Sequence, residues 1–286
     1  MPSKAEKVKI KGLIHSEVES SKRIFMSTGL TGLVRAEWML ARYPGQVIPC
    51  NWQMTDYTQF IDTCAPMGFL VAEFRNLASQ EFLDKGFQWL VFVDHDTIIP
   101  GNFLMTINER IIKDPIPMWS GLYFTKSVPS EPLVYRGKGS GYFADWKLGD
   151  KVWVDAVPMG CTVIHRSVIK AAWNVSEPYI VQGTPVRRVF ESPRYAWADP
   201  ISYQWKTRTG TEDLDFCWKF IEKGLFSKTD FPEYSRKKYP YMVDTSLFCW
   251  HITPDGKKFP SQGEEQYFMS NGNGRRRKSN HTKAGS

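Results

Sequence analysis

A mixed α/β domain with a mostly parallel central sheet flanked by helices is the fold class predicted by this 286-residue sequence. Three observations predict it. Short apolar runs alternate with helix-like stretches, the pattern of strands joined by right-handed crossovers. Residues 87–93, Phe-Gln-Trp-Leu-Val-Phe-Val, are apolar at almost every position, as expected of a central strand covered on both faces. Pro and Gly then punctuate the segment ends where a helix or strand must stop.

In order, residues 21–29 read as a buried strand ending in a Ser/Thr/Gly turn, and 33–43 as a helix closed by Pro44 and Gly45. Residues 47–52 read as a second strand, 68–85 as a helix stopped by Gly86, and 87–93 as the central strand. A helix over 103–113 leads to a strand over 117–124. Residues 128–150, rich in Gly, Pro and aromatics, suit an irregular or hairpin excursion. Two strand-like runs in 151–166 surround Pro158-Met159-Gly160, followed by a helix over 167–173. Residues 174–210 lack periodicity and read as a long mobile loop. A helix over 211–223, stopped by Gly224, precedes a final strand and turn over 242–252. The expected organisation is a flexible lead (1–20), one α/β domain (21–262) and a flexible basic tail (263–286).

Composition narrows the class. No window is long and apolar enough to span a bilayer, and the lysine-rich start lacks the apolar core of a secretory signal. The five cysteines are widely spaced with no C-x-x-C pair, which suits reduced thiols in a cytoplasmic protein and no zinc site. The formal charge is +7. Residues 257–286 hold seven Lys/Arg against Glu264 and Glu265, seven less two, and so supply +5 of it. That segment is either a solvated tail or a polyanion contact.

The chemistry concentrates in three clusters. Asp94-His95-Asp96 follows the central strand, where open parallel sheets collect ligands. Such a pair is either an acidic turn or a site for a hard divalent cation, Mn2+ or Mg2+, that neutralises a diphosphate leaving group. Glu212-Asp213-Leu214-Asp215 opens a helix that Thr211 can cap. Its acids suit the helix dipole, and Asp213, with Glu212 beside it, also suits general-base work on an acceptor hydroxyl. His251 ends a strand and is a candidate metal ligand or a structural histidine. Arg75 is an exposed helical arginine, a phosphate clamp or an anchor for the carboxylates. The Gly29-Leu30-Thr31-Gly32 turn matches neither a Walker loop nor a dinucleotide fingerprint.

Taken in order, residues 26–37, Ala72-Glu-Phe-Arg-Asn76, Phe92-Val-Asp-His-Asp96, Ser120-Gly-Leu-Tyr-Phe124, residues 154–160, Glu212-Asp-Leu-Asp-Phe-Cys217 and Val243-Asp-Thr-Ser246 with His251 resemble the family 2-like glycosyltransferases of the GT-A fold, compact bacterial and phage type. The resemblance runs from about residue 23 to 252. It implies a nucleotide-sugar donor carrying UDP or GDP, with Ser27, Thr28, Arg75, Asp94 and Gly121 on the donor side. It further implies Asp94, Asp96 and His251 around the metal, Asp213 as base of an inverting displacement, and Asp155 and Gly160 on the acceptor side. Phage enzymes of this kind suggest a hydroxymethylated base in DNA as acceptor, which the basic tail, Arg187-Arg188 and Arg236-Lys237-Lys238 would suit; a lipid-linked or surface glycan and a protein are the competing acceptors. A non-catalytic nucleic-acid-binding protein and a metal-dependent nucleotidyltransferase are the alternatives, the latter lacking its Gly-rich triphosphate loop.

Overall fold

The computed structural model describes residues 23–42, 45–48 and 61–263. The expected lead and nearly all of the basic tail lie outside the described residues. So does most of the strand expected over 47–52, and its two described residues belong to no strand.

Along the chain run β1 (Ile24–Ser27), α1 (Ala36–Arg42), β2 (Ile61–Cys64), α2 (Val71–Lys85), β3 (Trp89–Val93), β4 (Thr97–Ile98), α3 (Phe103–Lys113), β5 (Met118–Leu122), β6 (Lys151–Val154), β7 (Cys161–His165) and α4 (Arg166–Val175). There follow β8 (Pro178–Val181), β9 (Thr184–Arg187), β10 (Arg194–Ala198), β11 (Trp205–Thr209), α5 (Glu212–Glu222), two 3-10 turns, β12 (Tyr241–Phe248), β13 (Trp250–Ile252) and β14 (Lys258–Phe259).

The central sheet has the order β2-β1-β3-β7-β5-β12-β6. Five of its seven strands run one way, and β7 and β6 oppose them. The expected mostly parallel sheet flanked by helices is therefore present. All five residues of β3 are buried, and each large apolar side chain hidden there contributes roughly 1.5–3 kcal/mol. Helix α2 covers the sheet with Phe74, Ala78 and Phe82, four residues apart on one face, and Arg75 shares that buried side. Gly86 ends the helix at φ 81°, a left-handed conformation that costs glycine little.

Residues 174–210 are not a loop. They fold into two antiparallel hairpins, β8–β9 and β10–β11. The first turns at Gln182-Gly183, both at positive φ, in the two-residue geometry that matches strand twist. Proline at 178 and 185 breaks the strand pattern in sequence, yet edge strands tolerate it. Strand β10 is exposed along its whole length, so it has no buried face to impose alternation.

A small sheet, β14-β13-β4, is likewise not apparent from the sequence. Its value is positional. β13 pairs antiparallel with β4, Trp250 opposite Ile98 and His251 opposite Thr97. Strand β13 is thus laid across the residues that follow the central strand.

Candidate active site

Asp94, His95 and Asp96 form the tight turn between β3 and β4, closed by the Thr97 N–H donating to the Asp94 carbonyl at 3.0 Å. Two further backbone bonds fix this turn. The Asp94 N–H donates to the Gly160 carbonyl at 3.0 Å, and the Ile252 N–H to the Asp96 carbonyl at 2.7 Å. The second bond belongs to the β13–β4 junction, and it brings His251 Nε2 to 3.5 Å from Asp96 Oδ1. His251 Nδ1 lies 2.8 Å from the Phe124 carbonyl oxygen. A carbonyl only accepts, so Nδ1 carries a proton and Nε2 is the nitrogen turned to Asp96, the one a histidine held in this way would present to a metal. Lys126 Nζ bonds the other oxygen, Oδ2. Burial alone would raise the Asp96 carboxyl, but His251 and Lys126 outweigh it and hold the group well below the usual carboxylate range.

Arg75 organises the second half of the site. Its side chain is almost wholly buried between the rings of Phe74 and Phe92, each 4.9 Å from the guanidinium carbon. Nη2 donates to both Asp94 oxygens at 3.0 and 3.1 Å, and Nε to Glu212 Oε1 at 3.0 Å. Burial opposes the charge, but Asp94, Glu212 and Asp213 overcome it and keep the guanidinium cationic. Of the sequence readings of Arg75, the carboxylate anchor is the one observed. Glu212, expected beside Asp213 as a catalytic group, is committed to this ion pair.

Asp213 stands differently. It keeps a partly exposed edge on the first turn of α5, and its Oδ1 accepts the Leu214 N–H at 2.7 Å. Burial, followed by the neighbouring Glu212 charge, pushes its pKa up to about 6. Thr211 does not cap the helix with its side chain; its hydroxyl serves Asp213 instead.

Other expected residues lie in the frame. Ser27 and Thr28, read as nucleotide contacts, are fully buried, and Thr28 Oγ1 is bonded by Arg42. The exposed part of that turn is Thr31, Gly32 and Leu33. Gly121, expected on the donor side, sits inside β5, where an added Cβ would meet the Leu247 carbonyl and the Cys161 and Cys249 sulfurs at 3.0–3.1 Å. It is a packing glycine. Gly160 supports Asp94 from below, and its own N–H donates to Tyr123 Oη at 2.7 Å. Asp155 accepts the Gly137 N–H at 2.7 Å and braces the 128–150 excursion.

Three residues of the site carried no signal of their own. Tyr123 packs edge-on to His251 at 5.5 Å and touches the backbone under Asp94 through Gly160. Trp38 Nε1 donates to the Asp94 carbonyl at 2.8 Å. Lys126 lies just past β5, in a segment whose pattern ends at Phe124.

Among the described residues no three His, Cys, Asp or Glu side chains converge to hold a metal by themselves. Of the three residues expected around a metal, Asp94 faces Arg75, and Asp96 and His251 face each other at 3.5 Å. A carboxylate oxygen and an imidazole lone pair facing each other fit a divalent cation that takes its remaining oxygens from a ligand.

No protein-family model matches this chain, and no curated protein matches it either. Its neighbours among solved structures include glycosyltransferases. A197 from STIV is 16% identical over 82% of this chain and 92% of its own, with a TM-score of 0.47. GalNAc-T7, solved with UDP, GalNAc and Mn2+, is 11% identical over 81% of this chain, with a TM-score of 0.43. The matched region is 44% of that protein's length. A glycosyltransferase involved in glycosylating the major capsid of PBCV-1 is 14% identical over 54% of this chain and 66% of its own, with a TM-score of 0.28. Agreement at this level assigns no family.

Beyond Glu212 runs a groove in two lobes of about 570 and 560 Å³ that share Arg188, Glu191 and Tyr195. Its first lobe begins at Thr211 and Glu212, directly before Asp213. The exposed hairpin β10–β11 forms part of its rim through Arg194 and Tyr195.

Proposed function

We propose that this protein transfers a glycosyl group from a nucleoside-diphosphate sugar to an acceptor hydroxyl. One observation carries the reading: Asp96 and His251, far apart in sequence, face each other at 3.5 Å, and Arg75, which holds Asp94 of the same turn, also feels the charge of Asp213, whose pKa is raised to about 6. A divalent ion held by Asp96 and His251 would supply positive charge to the departing diphosphate. Arg75 holds Asp94 and Glu212 in place, so both act as positioning residues. Asp213 accepts the proton of the attacking hydroxyl, its orientation fixed by the Leu214 N–H. Displacement with an external base of this kind inverts the anomeric centre.

The acceptor enters along the groove beyond Thr211. Glu73, Glu177, Glu191 and Glu212 there offset Arg188, Arg194, Lys219 and Lys223. A phosphate track would be basic throughout. Balanced charge with Tyr179, Tyr195 and Phe190 suits an uncharged, hydroxyl-rich acceptor, so a glycan is favoured over modified DNA. The basic tail behind the DNA reading lies almost wholly outside the described residues.

The test is nucleotide release from a panel of UDP- and GDP-sugars with Mn2+, with neutral oligosaccharides or hydroxymethylated DNA as acceptor. Release that depends on the metal and is abolished in Asp96→Ala supports the proposal. Full turnover in excess chelator, or in Asp96→Ala, overturns the metal role. DNA binding without any turnover would favour the non-catalytic reading.

A further inference from the structure

We propose that Lys126 is a tethered cation that pairs with Asp96 and moves onto the donor's diphosphate when a metal ion binds that carboxylate. The inference rests on the donor and metal reading above and deepens it.

Asp96 is a largely shielded carboxylate, its side chain 23% exposed, and it is flanked on both oxygens. Oδ1 faces His251 Nε2, while Nδ1 of that ring donates to the Phe124 carbonyl; Oδ2 is bonded by Lys126 Nζ. Lys126 therefore stands where an arriving cation would find its carboxylate. An ammonium and a divalent ion on one carboxylate repel each other strongly in a shielded site. A metal ion at Oδ1 and His251 thus weakens the Lys126 contact at Oδ2 by charge repulsion, and the ammonium turns to another anion or to water.

The loop geometry permits that exchange without unfolding anything. Thr125 is anchored on both sides, its N–H donating to the Glu131 carbonyl and its hydroxyl accepting the Glu131 N–H, each at 2.9 Å. Ser130 Oγ donates to the Ser127 carbonyl at 2.9 Å and closes the turn. The backbone at position 126 is thus fixed, while a four-carbon stem, 31% exposed at the side chain, is free to swing. It swings within a cleft bordered by Thr31, Arg35, His95 and Thr253, where Asp96 is the only lining carboxylate among the described residues. Arg35 is already paired with Glu37 at 2.8 Å. A displaced Lys126 thus finds no second acid on this cleft wall, and an anionic ligand beside the metal becomes its partner. Lysine binds phosphate as a point charge, without the fixed fork of arginine.

The exchange makes two measurable quantities move in opposite directions when the charge is removed. Mn2+ binding to the full chain is followed by the loss of the free-ion electron paramagnetic resonance signal, without nucleotide. UDP and GDP binding is then followed by calorimetry at saturating Mn2+. Lys126→Met should bind Mn2+ about tenfold more tightly, for want of a competitor, and bind Mn2+-UDP or Mn2+-GDP about tenfold more weakly. Lys126→Arg should stay near wild type in both. A merely structural lysine would weaken both or neither, and either result overturns the exchange. Wild-type protein that takes up neither Mn2+ nor nucleotide would overturn the transferase reading itself. Wild-type binding with no opposite shifts in Lys126→Met would overturn only this inference.

Discussion

Asp213 is the residue whose environment and role can be separated most cleanly. Burial and the Glu212 charge place its pKa near 6 against an ordinary value of 3.8. A base works only when ionised, so turnover should rise with pH through about 6 and level off above it. Asp213→Asn should lower kcat about 10²–10⁴-fold and remove that limb, leaving nucleotide affinity unchanged; equal losses in both would deny the base role. The same raised pKa has a stability sign. The folded chain holds this proton more tightly than the unfolded one, so the stability gained from it is present below about pH 4 and is lost as pH rises through 6. Arg75 makes a different prediction. Arg75→Met would leave Asp94 and Glu212 facing each other without their shared cation. About 3–5 kcal/mol of folding stability should be lost, read from urea denaturation. The acids of the site were legible in the sequence because carboxylates at a strand end and a helix start are rarely packing residues. Lys126, Tyr123 and Trp38 were not, since Lys, Tyr and Trp occur in every environment and only the fold brings these three together.

At the scale of elements, legibility followed burial. Helices α3 and α5 each present one face to the core, which periodicity reports, and β3 is buried on both faces, which its unbroken apolar run reports. The hairpins over 178–209 have little buried surface of their own, so nothing in their pattern distinguished them from a loop. Strand β2 was missed, and the strand expected over 47–52 lies mostly outside the described residues. The exposed hairpin makes an element-level prediction. Tyr195 and Trp197 lie two residues apart on one face of β10, 48% and 44% exposed, and Tyr195 lines the acceptor groove. Removing Tyr195 and Trp197 together by alanine substitution should raise the acceptor KM about tenfold, because aromatic stacking surface is lost. kcat and the melting temperature should stay near wild type, since neither ring is part of the core. A fall in melting temperature with unchanged KM would make the hairpin a structural prop.

For the whole molecule, the question is which surface meets the acceptor. The chain carries +7, and +5 of that comes from residues 257–286, while the groove beside Asp213 is balanced in charge. Acceptor affinity should therefore change little between 50 and 200 mM salt. A DNA acceptor gripped at several phosphates would lose orders of magnitude over the same interval. No helix among the described residues is long and apolar enough to cross a membrane.

Trp38 adds a consequence for observing the site. Its indole N–H is given to the carbonyl of Asp94, one peptide link from His95 and two from Asp96. Isotope labelling of the chain's eleven tryptophans would make that proton a resonance of its own. If magnesium and nucleotide bind at this turn as proposed, any shift of it alters the pull of that carbonyl, and the resonance moves with it. The molecule thus carries an indicator of occupancy that needs neither turnover nor a known acceptor.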